Sequence, residues 1–330
     1  MYIDNGRKGG PSTLEDFTAR TGIAVDYSED INDNREFLAK IRPDLEAGRD
    51  CGRDLFVVDE EPAYELIRNG WVAPLDRANL SNAGNLLPRL AAPAFDPGRA
   101  YTMPWQSGFT GIGWNAPLLR RELGVDALTS LDEFFDPRLA GRVVILAEPR
   151  DTLGVLMPWL GIEPENFTRD EFMRAVEVLQ GYVDSGHIRQ ATGNDYLSSL
   201  ETGDAIAAIG WSGDILALGS EFGFALPESG GMYWADALVI PRGAAGKAAA
   251  ERLIDWYYDP VIAARLAAYI QYASPVTGAQ EAMRTIAPRL ADDPWIFPPS
   301  EVLEEAHSFM AIEPEDWVSY ERAFMAAIGA

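Results

Sequence analysis

The chain contains very little cysteine and histidine. Among its 330 residues there is one cysteine, Cys51, and there are two histidines, His187 and His307. One cysteine excludes an internal disulfide, a thiolate metal cluster and a dithiol redox pair. Neither histidine has a second histidine at helical metal spacing, so we expect no metal site and no cofactor. The stability of the fold must then come from packing.

Long apolar runs are also absent. No stretch reaches the about 18 apolar residues that a membrane-spanning helix needs, so the sequence predicts a soluble chain. The segment from Met1 to Lys8 lacks the basic-then-apolar pattern of a secretory signal. Two interpretations stay open: the protein is cytoplasmic, or its exporting segment is absent from this chain.

Basic residues are scarce. Against 51 acidic residues there are only 27 basic ones, which gives a formal net charge of -24. Such a charge repels nucleic acids and anionic membrane surfaces, so we expect no nucleic-acid partner and favour cationic ones. Acidity also serves solubility, and charge alone therefore does not identify a ligand.

The length and the hydrophobic pattern predict two α/β domains. A chain of 330 residues exceeds one ordinary core. Short apolar runs alternate with amphipathic stretches, which is typical of mainly parallel sheets covered by helices. The predicted strands are 25–27, 55–58, 143–146, 205–209 and 237–240, and the predicted helices are 14–21, 35–47, 62–69, 170–181 and 247–258. The glycine-rich segment 107–113 is a candidate strand crossing between the domains.

Acidic residues follow several of these strands. They are Asp59 and Glu61 after the strand ending at Val58, Glu148 and Asp151 after Leu146, and Asp214 after Ile209. In open α/β sheets, ligands bind beyond the carboxyl ends of strands, which favours a binding role. The same positions open helices, where an acid caps free N–H groups, so capping is the alternative for each residue.

Two segments place a tryptophan beside a carboxylate. The first is Ile209 to Asp214 and the second is Tyr233 to Asp236. Trp211 stands between glycines at a strand end, and Trp234 shares one face of an extended segment with the acid two residues later. An indole face attracts a cation and a carboxylate neutralises it, so the pattern predicts binding of an organic ammonium ion. Tyr272 is either a further wall of such a site or a turn aromatic ahead of proline.

These residues resemble the spermidine/putrescine-binding proteins of bacterial polyamine ABC transporters, within the periplasmic-binding-protein class. The similar segments cover nearly the whole chain in the expected order. They are 21–25, 27–34, 53–58, 104–115, 209–214, 230–236, 259–261 and Tyr272. The Trp211/Asp214 and Trp234/Asp236 segments are the most specific, whereas the early ones are generic to the wider class.

The resemblance implies a ligand-binding site and no catalytic residue. Trp211 and Trp234 would stack on the polyamine, Asp236 would pair with one amine, and Tyr272 would line the cleft. Glu148 and Asp151 match a pair of family acids on the second lobe, and Asp214 matches an acid of the putrescine-type members. Two departures concern the ligand's identity. Asp59 and Glu61 stand where the family has a small hydroxyl residue and a tyrosine, and the family's first strand, with its cleft aromatic, is missing before Met1 to Asp4.

The implied fold is the type II periplasmic-binding-protein fold. Each lobe would be a mixed, mainly parallel sheet flanked by helices, and crossing hinge strands would join the lobes. The resemblance implies a first lobe of residues 1–110 and 237–280 and a second of 111–236 and 281–330. The ligand would bind in the cleft between the lobes, which would close over it like a hinge.

The implied function is polyamine capture and delivery to an ABC permease. The protein would act as an extracytoplasmic monomer, periplasmic or at the cell surface, with its export signal absent from this chain. One alternative is the same fold binding another cationic amine or an amino-acid-derived solute such as a cationic opine. A less favoured one is an enzyme using Glu148 and Asp151 as acid and base. Against an enzyme stands the lack of a nucleophile elbow, a phosphate loop or a metal cluster.

Overall fold

The computed structural model describes residues 3–4, 11–31 and 34–330. The expected truncation of the first strand falls partly on Met1 and Tyr2, which lie outside the described residues. The chain divides into two compact units. The first comprises Met1–Ser107 and Ala235–Phe297, and the second comprises Gly108–Trp234 and Pro298–Ala330.

Helices and strands alternate along most of the described chain. The strands are β1 (Phe56–Val58), β2 (Thr102–Asn115), β3 (Val143–Leu146), β4 (Ile188–Thr192), β5 (Ala207–Trp211), β6 (Phe222–Ala225), β7 (Gly231–Val239) and β8 (Ala306–His307). The helices are α1 (Thr13–Thr21), α2 (Asn34–Glu46), α3 (Glu60–Arg68), α4 (Ala116–Leu123), α5 (Leu131–Phe134), α6 (Pro149–Trp159), α7 (Arg169–Asp184), α8 (Tyr196–Thr202), α9 (Ser212–Ala217), α10 (Lys247–Tyr257), α11 (Pro260–Ile270), α12 (Ala279–Ile286), α13 (Ser300–Glu304) and α14 (Pro314–Ile328). The predicted α/β class is confirmed.

In the first unit, β1 pairs with the end of β7 in antiparallel register. Val58 lies opposite Ala237 and Phe56 lies opposite Val239, and all four are buried. Apolar residues of α2 and α3 cover this pair, among them the fully buried Leu66. A fully buried leucine contributes about 1.5 to 3 kcal/mol relative to an exposed one. The packing therefore fixes the strand ends at which Asp59 and Asp236 stand.

A second hydrophobic cluster of the first unit surrounds helices α10, α11 and α12. It includes Met103 and Trp105 of β2 together with Ile254, Leu266 and Met283, which are all nearly inaccessible to solvent. Helix α11 ends at Ile270, and its C-cap residue Gln271 has a left-handed φ of 58°. The chain turns there, so that Tyr272 begins the segment that returns along β2, where Ala273 pairs with Ser107.

In the second unit, a mixed sheet has the strand order β2-β5-β3-β4. Strand β3 is parallel to β4 and β5, whereas β2 is antiparallel to β5 and β6. Every residue of β3 is fully buried, as are Leu153 of α6 and Phe172 of α7. Strand β8 runs parallel to the start of β7. The apolar pattern of β3 thus reflects a central strand covered on both faces.

Several predicted elements are confirmed with small changes at their ends. Strand β3 matches its prediction, and β5 begins and ends two residues later than the predicted 205–209. Trp211 is therefore the last residue of a strand and directly precedes α9. The predicted crossing segment 107–113 lies inside β2, which continues from the first unit into the second.

The predicted strand 25–27 is wrong. These residues are described, and they form neither strand nor helix. Val25 is half-buried and Tyr27 is exposed, so the segment has no continuous apolar face with which a strand could join a sheet. Two apolar residues around the charged Asp26 were too weak a signal for a strand.

The last predicted domain boundary also needs correction. Residues 281–297 belong to the first unit and not to the second, because Met283, Ala291 and Ile296 are buried in the core around α11. Ala235 and Asp236 likewise belong to the first unit. The predicted cleft between the lobes stays a prediction.

Candidate functional site

In the first unit, two carboxylates face each other at the ends of paired strands. The antiparallel register sets Val58 opposite Ala237, and Asp59 and Asp236 are the next residues of the two strands' chains beyond this pair. Their side chains are hydrogen-bonded to each other. Two carboxylates can share such a bond only if one of them carries a proton. Burial, followed by the charge and hydrogen bond of Asp59, raises the pKa of Asp236 well above its usual range, and the charge of Glu60 adds to the effect.

Asp59 occupies a helix N-cap position without acting as a cap. Its backbone is extended ahead of α3, yet within the described helix its side chain accepts no hydrogen bond from the first-turn N–H groups. Instead, Asn34 Nδ2 donates to Asp59 Oδ2 at 2.8 Å. Asp259 shows the contrast, because its Oδ1 accepts from Val261 N at 2.8 Å and caps α11. The capping alternative therefore does not account for Asp59.

The first turn of α3 contains two further acids in different surroundings. Glu60 Oε1 lies 3.9 Å from Nη2 of Arg99, whose side chain is almost wholly buried. Glu61 is half-buried in the same turn. Tyr272 is half-buried against the core around α11. Of the residues predicted to bind in this unit, Asp59 and Asp236 are thus in direct contact.

In the second unit, Thr110 joins a predicted acid to a predicted ring. Nε1 of Trp234 donates to Oγ1 of Thr110 at 3.1 Å, and that hydroxyl donates to Oδ1 of Asp151. Thr110 is fully buried on β2, and Asp151 lies half-buried in the first turn of α6. The strand register also sets Thr110 opposite Trp211. One buried threonine therefore lies beside three predicted site residues.

Tyr196 supports Trp211 from the other side. The ring of Tyr196 meets the indole edge-on, with centroids 5.9 Å apart, and its hydroxyl accepts from Trp211 N at 3.2 Å. Burial raises the pKa of this hydroxyl well above its ordinary value, and the charges of Asp214 and Asp151 raise it further. Both acids therefore act on the Tyr196 hydroxyl through their charge.

Gly210 allows this contact. A Cβ atom at Gly210 would lie only 2.5 Å from Cε2 of Tyr196 and 3.1 Å from Cδ1 of Ile215. No side chain fits there unless the buried tyrosine ring moves. The glycine before Trp211 is therefore required by packing against Tyr196.

Glu148 differs from the other acids of the second unit. It is exposed at the N-cap position of α6, and in the described helix its side chain is not hydrogen-bonded to the first-turn N–H groups. The second unit thus brings Asp151, Asp214, Trp211 and Trp234 around Thr110 and Tyr196. Half-buried carboxylates beside indole rings can pair with an ammonium group and hold its alkyl chain.

Sequence patterns did not single out Thr110, Tyr196 or Asn34 as site residues. Each is uncharged, and none lies in a tryptophan/acid segment. The importance of Thr110 depends on the register of β2 against β5, which apolar patterning leaves undetermined. Tyr196 opens α8 and reaches Trp211 only through the fold.

Residues 12–298 match the family described as "Bacterial extracellular solute-binding protein". The chain belongs to this family. Within the described residues, no helix combines the length and the apolar character needed to cross a bilayer.

Several similar proteins are named as polyamine-binding proteins. The chain is 25% identical over 297 residues to the spermidine/putrescine-binding periplasmic protein of Escherichia coli, covering 89% of this chain and 81% of the relative. It is 28% identical over 319 residues to the putrescine-binding periplasmic protein SpuD of Pseudomonas aeruginosa, covering 91% and 83%. The resemblance that the tryptophan/acid segments suggested is confirmed.

Solved structures share the fold. The similarity to a putative spermidine/putrescine ABC transporter from Listeria monocytogenes has a TM-score of 0.83 at 22% identity, over 99% of this chain and 95% of that one. The binding protein AgtB, solved with agropinic acid, has a TM-score of 0.72 at 18% identity, over 96% and 93%. The predicted periplasmic-binding-protein fold class is confirmed.

Proposed function

We propose that this protein captures a polyamine, putrescine or spermidine, and delivers it to an ABC permease. The observation that carries the proposal is the convergence of Asp151 and Asp214 with Trp211 and Trp234 in the second unit. Membership of the solute-binding family and the names of the relatives support the same class of ligand. The protein acts as a monomer outside the cytoplasm and catalyses no reaction.

The acids set the ligand's charge and the rings hold its alkyl stem. A half-buried carboxylate gains from pairing with an ammonium group, and an indole face adds a cation-π contact of about 0.5 to 2 kcal/mol. In the first unit, the facing carboxylates of Asp59 and Asp236 repel each other unless a proton or a cation lies between them. An ammonium group can pair with the acids of either unit.

Calorimetry with putrescine and spermidine tests this proposal. We expect dissociation constants that are micromolar or tighter, that is, about -8 kcal/mol or better. A neutral diol of similar length is the matched control, because it keeps the alkyl stem and lacks the charges. Absence of heat and of any thermal shift with every polyamine would contradict the proposal.

A second candidate is a different cationic amine or an amino-acid-derived solute. It is favoured by Asp59, which adds a carboxylate opposite Asp236 where the similar family has a small hydroxyl residue. Competition between spermidine and a panel of amines, including guanidinium compounds and opines, separates the candidates. Tighter binding of a non-polyamine to the wild-type protein selects the second one.

An enzymatic role for Glu148 and Asp151 has less support. Glu148 is exposed, whereas Asp151 accepts a hydrogen bond from Thr110. Incubation of the protein with bound spermidine, followed by mass spectrometry, should return the amine unchanged. Conversion of the amine would revive the enzymatic role.

A further inference from the structure

Thr110 stands in a hydrogen-bonded chain whose direction is fixed by chemistry. An indole Nε1–H can only donate, so the Thr110 oxygen must accept from Trp234. A threonine hydroxyl has a single proton, and here it goes to Oδ1 of Asp151. The carboxylate oxygen must then accept. The direction of both hydrogen bonds is therefore determined: Trp234 donates to Thr110, and Thr110 donates to the Asp151 carboxylate.

This chain restrains both groups that the proposed function needs. Thr110 is fully buried on a central strand, and β-branched side chains have few χ1 rotamers. Its oxygen is thus a fixed point, and both the Trp234 ring edge and the Asp151 carboxylate are tied to it. Because these side chains are already restrained in the free protein, less conformational entropy is lost when a ligand binds.

We propose that Thr110 is a positioning residue for the ammonium ligand. Its hydroxyl holds the Trp234 indole and the Asp151 carboxylate in one preorganised unit, and it keeps this carboxylate oxygen an acceptor. The inference rests on the proposed function, and it assigns to an uncharged residue a role in affinity.

The same strand contains a matched control. Thr102 is also fully buried on β2, and its hydroxyl donates to Asp96 Oδ2 at 2.9 Å while accepting from Arg99 Nη1 at 3.0 Å. The order of donor, hydroxyl and carboxylate is identical. Thr102 and Asp96 lie outside the proposed ligand contacts, so replacement of Thr102 measures the structural cost of losing such a hydroxyl.

Three variants separate positioning from simple stability. Thr110→Val keeps the branched shape and removes the hydroxyl, Thr110→Ser keeps the hydroxyl, and Thr102→Val is the control. With putrescine and spermidine as probes, we expect Thr110→Val to weaken binding at least about tenfold. We expect Thr110→Ser to stay within about threefold of wild type, and Thr102→Val within about twofold despite a lower thermal stability.

A second measurement needs no ligand. In nitrogen-15-labelled free protein, the indole N–H resonance of Trp234, assigned with Trp234→Phe, should shift and exchange faster in Thr110→Val and stay near its wild-type position in Thr110→Ser. The positioning role is overturned if Thr110→Val binds like wild type, if Thr110→Ser binds as weakly as Thr110→Val, or if the indole resonance does not respond. If wild type binds no polyamine, the proposed function fails, and the indole resonance still decides the role of Thr110.

Discussion

Asp236 of the first unit and Asp151 of the second are both half-buried carboxylates, yet their surroundings are opposite. Asp236 faces another carboxylate, Asp59, and burial together with this neighbour raises the pKa of Asp236 well above its usual range. Asp151 accepts a hydrogen bond from a fixed hydroxyl. The first arrangement disfavours a second negative charge, whereas the second stabilises one. The carboxylates of the two units therefore differ in their readiness to be negatively charged before a cation binds.

The difference has a thermodynamic consequence. Below the raised pKa of Asp236, a cation that binds at the Asp59/Asp236 pair must displace a proton, so its affinity depends on pH. A cation that binds at Asp151 meets an oxygen already held as an acceptor. The first unit thus sets a pH dependence, and the second sets the geometry of binding.

The largest expected effect is the loss of an acid from the first unit. Asp236→Ala should weaken polyamine binding by about 2 to 3 kcal/mol, because one ammonium group loses a charged partner. Calorimetry measures the change. Asp292→Ala is the control, since it removes the same charge from an exposed residue of the same unit that pairs with Arg284. Equal weakening by both variants would point to net charge alone.

Removal of a ring from the second unit should have the next largest effect. Trp211→Ala should cost about 1 to 2 kcal/mol of binding through the lost cation-π contact. Trp159→Ala is a suitable control, because this half-buried tryptophan of α6 donates to Asp132 and lies outside the proposed site. The account is contradicted if the two variants weaken binding equally.

The pH dependence of binding separates the two units directly. The proton of this pair is present below the raised pKa of Asp236, so apparent polyamine affinity should rise as pH increases toward that pKa. Asp59→Ser, which replaces the second carboxylate by a small hydroxyl residue, should flatten this rise. Thr110→Ser should leave it intact. A steep rise that survives in Asp59→Ser would contradict the assignment to this pair.

Asp59→Ser should also stabilise the free protein near neutral pH, because Asp236 then no longer needs a proton to lie beside a second carboxylate. The folded state holds a proton that the unfolded state has already lost between the ordinary aspartate pKa and the raised one. Stability of the wild type should therefore fall as pH rises through this window. Chemical denaturation at the two ends of the window measures the change. A destabilised Asp59→Ser at neutral pH would contradict this prediction.

Patterning predicted the parts of the fold that depend on local sequence. The four buried residues of β3 form a central strand because an uninterrupted apolar run has no solvent-exposed face. The predicted strand at 25–27 is shorter and contains the charged Asp26, and these residues form no strand. The placement of residues 281–297 in the first unit depended on tertiary packing around α11, which no local pattern records.

Those parts of the candidate site could be predicted in which the residue type itself indicates the ligand chemistry. Tryptophans beside acids indicated an amine binder, and the charges of Asp151 and Asp214 both act on the buried Tyr196 hydroxyl. The opposition of Asp59 and Asp236 depends on the register of β1 against β7, and the role of Thr110 depends on the register of β2 against β5. A strand register is a property of pairing, so a single sequence leaves it open.

Calorimetry of spermidine binding in two buffers of different ionisation enthalpy tests the central claim most directly. At a pH below the raised pKa of Asp236, the account predicts micromolar or tighter binding with release of a proton to the buffer, and no such release in Asp59→Ser. Binding heats that are the same in both buffers for the wild-type protein, or the absence of binding, would contradict it.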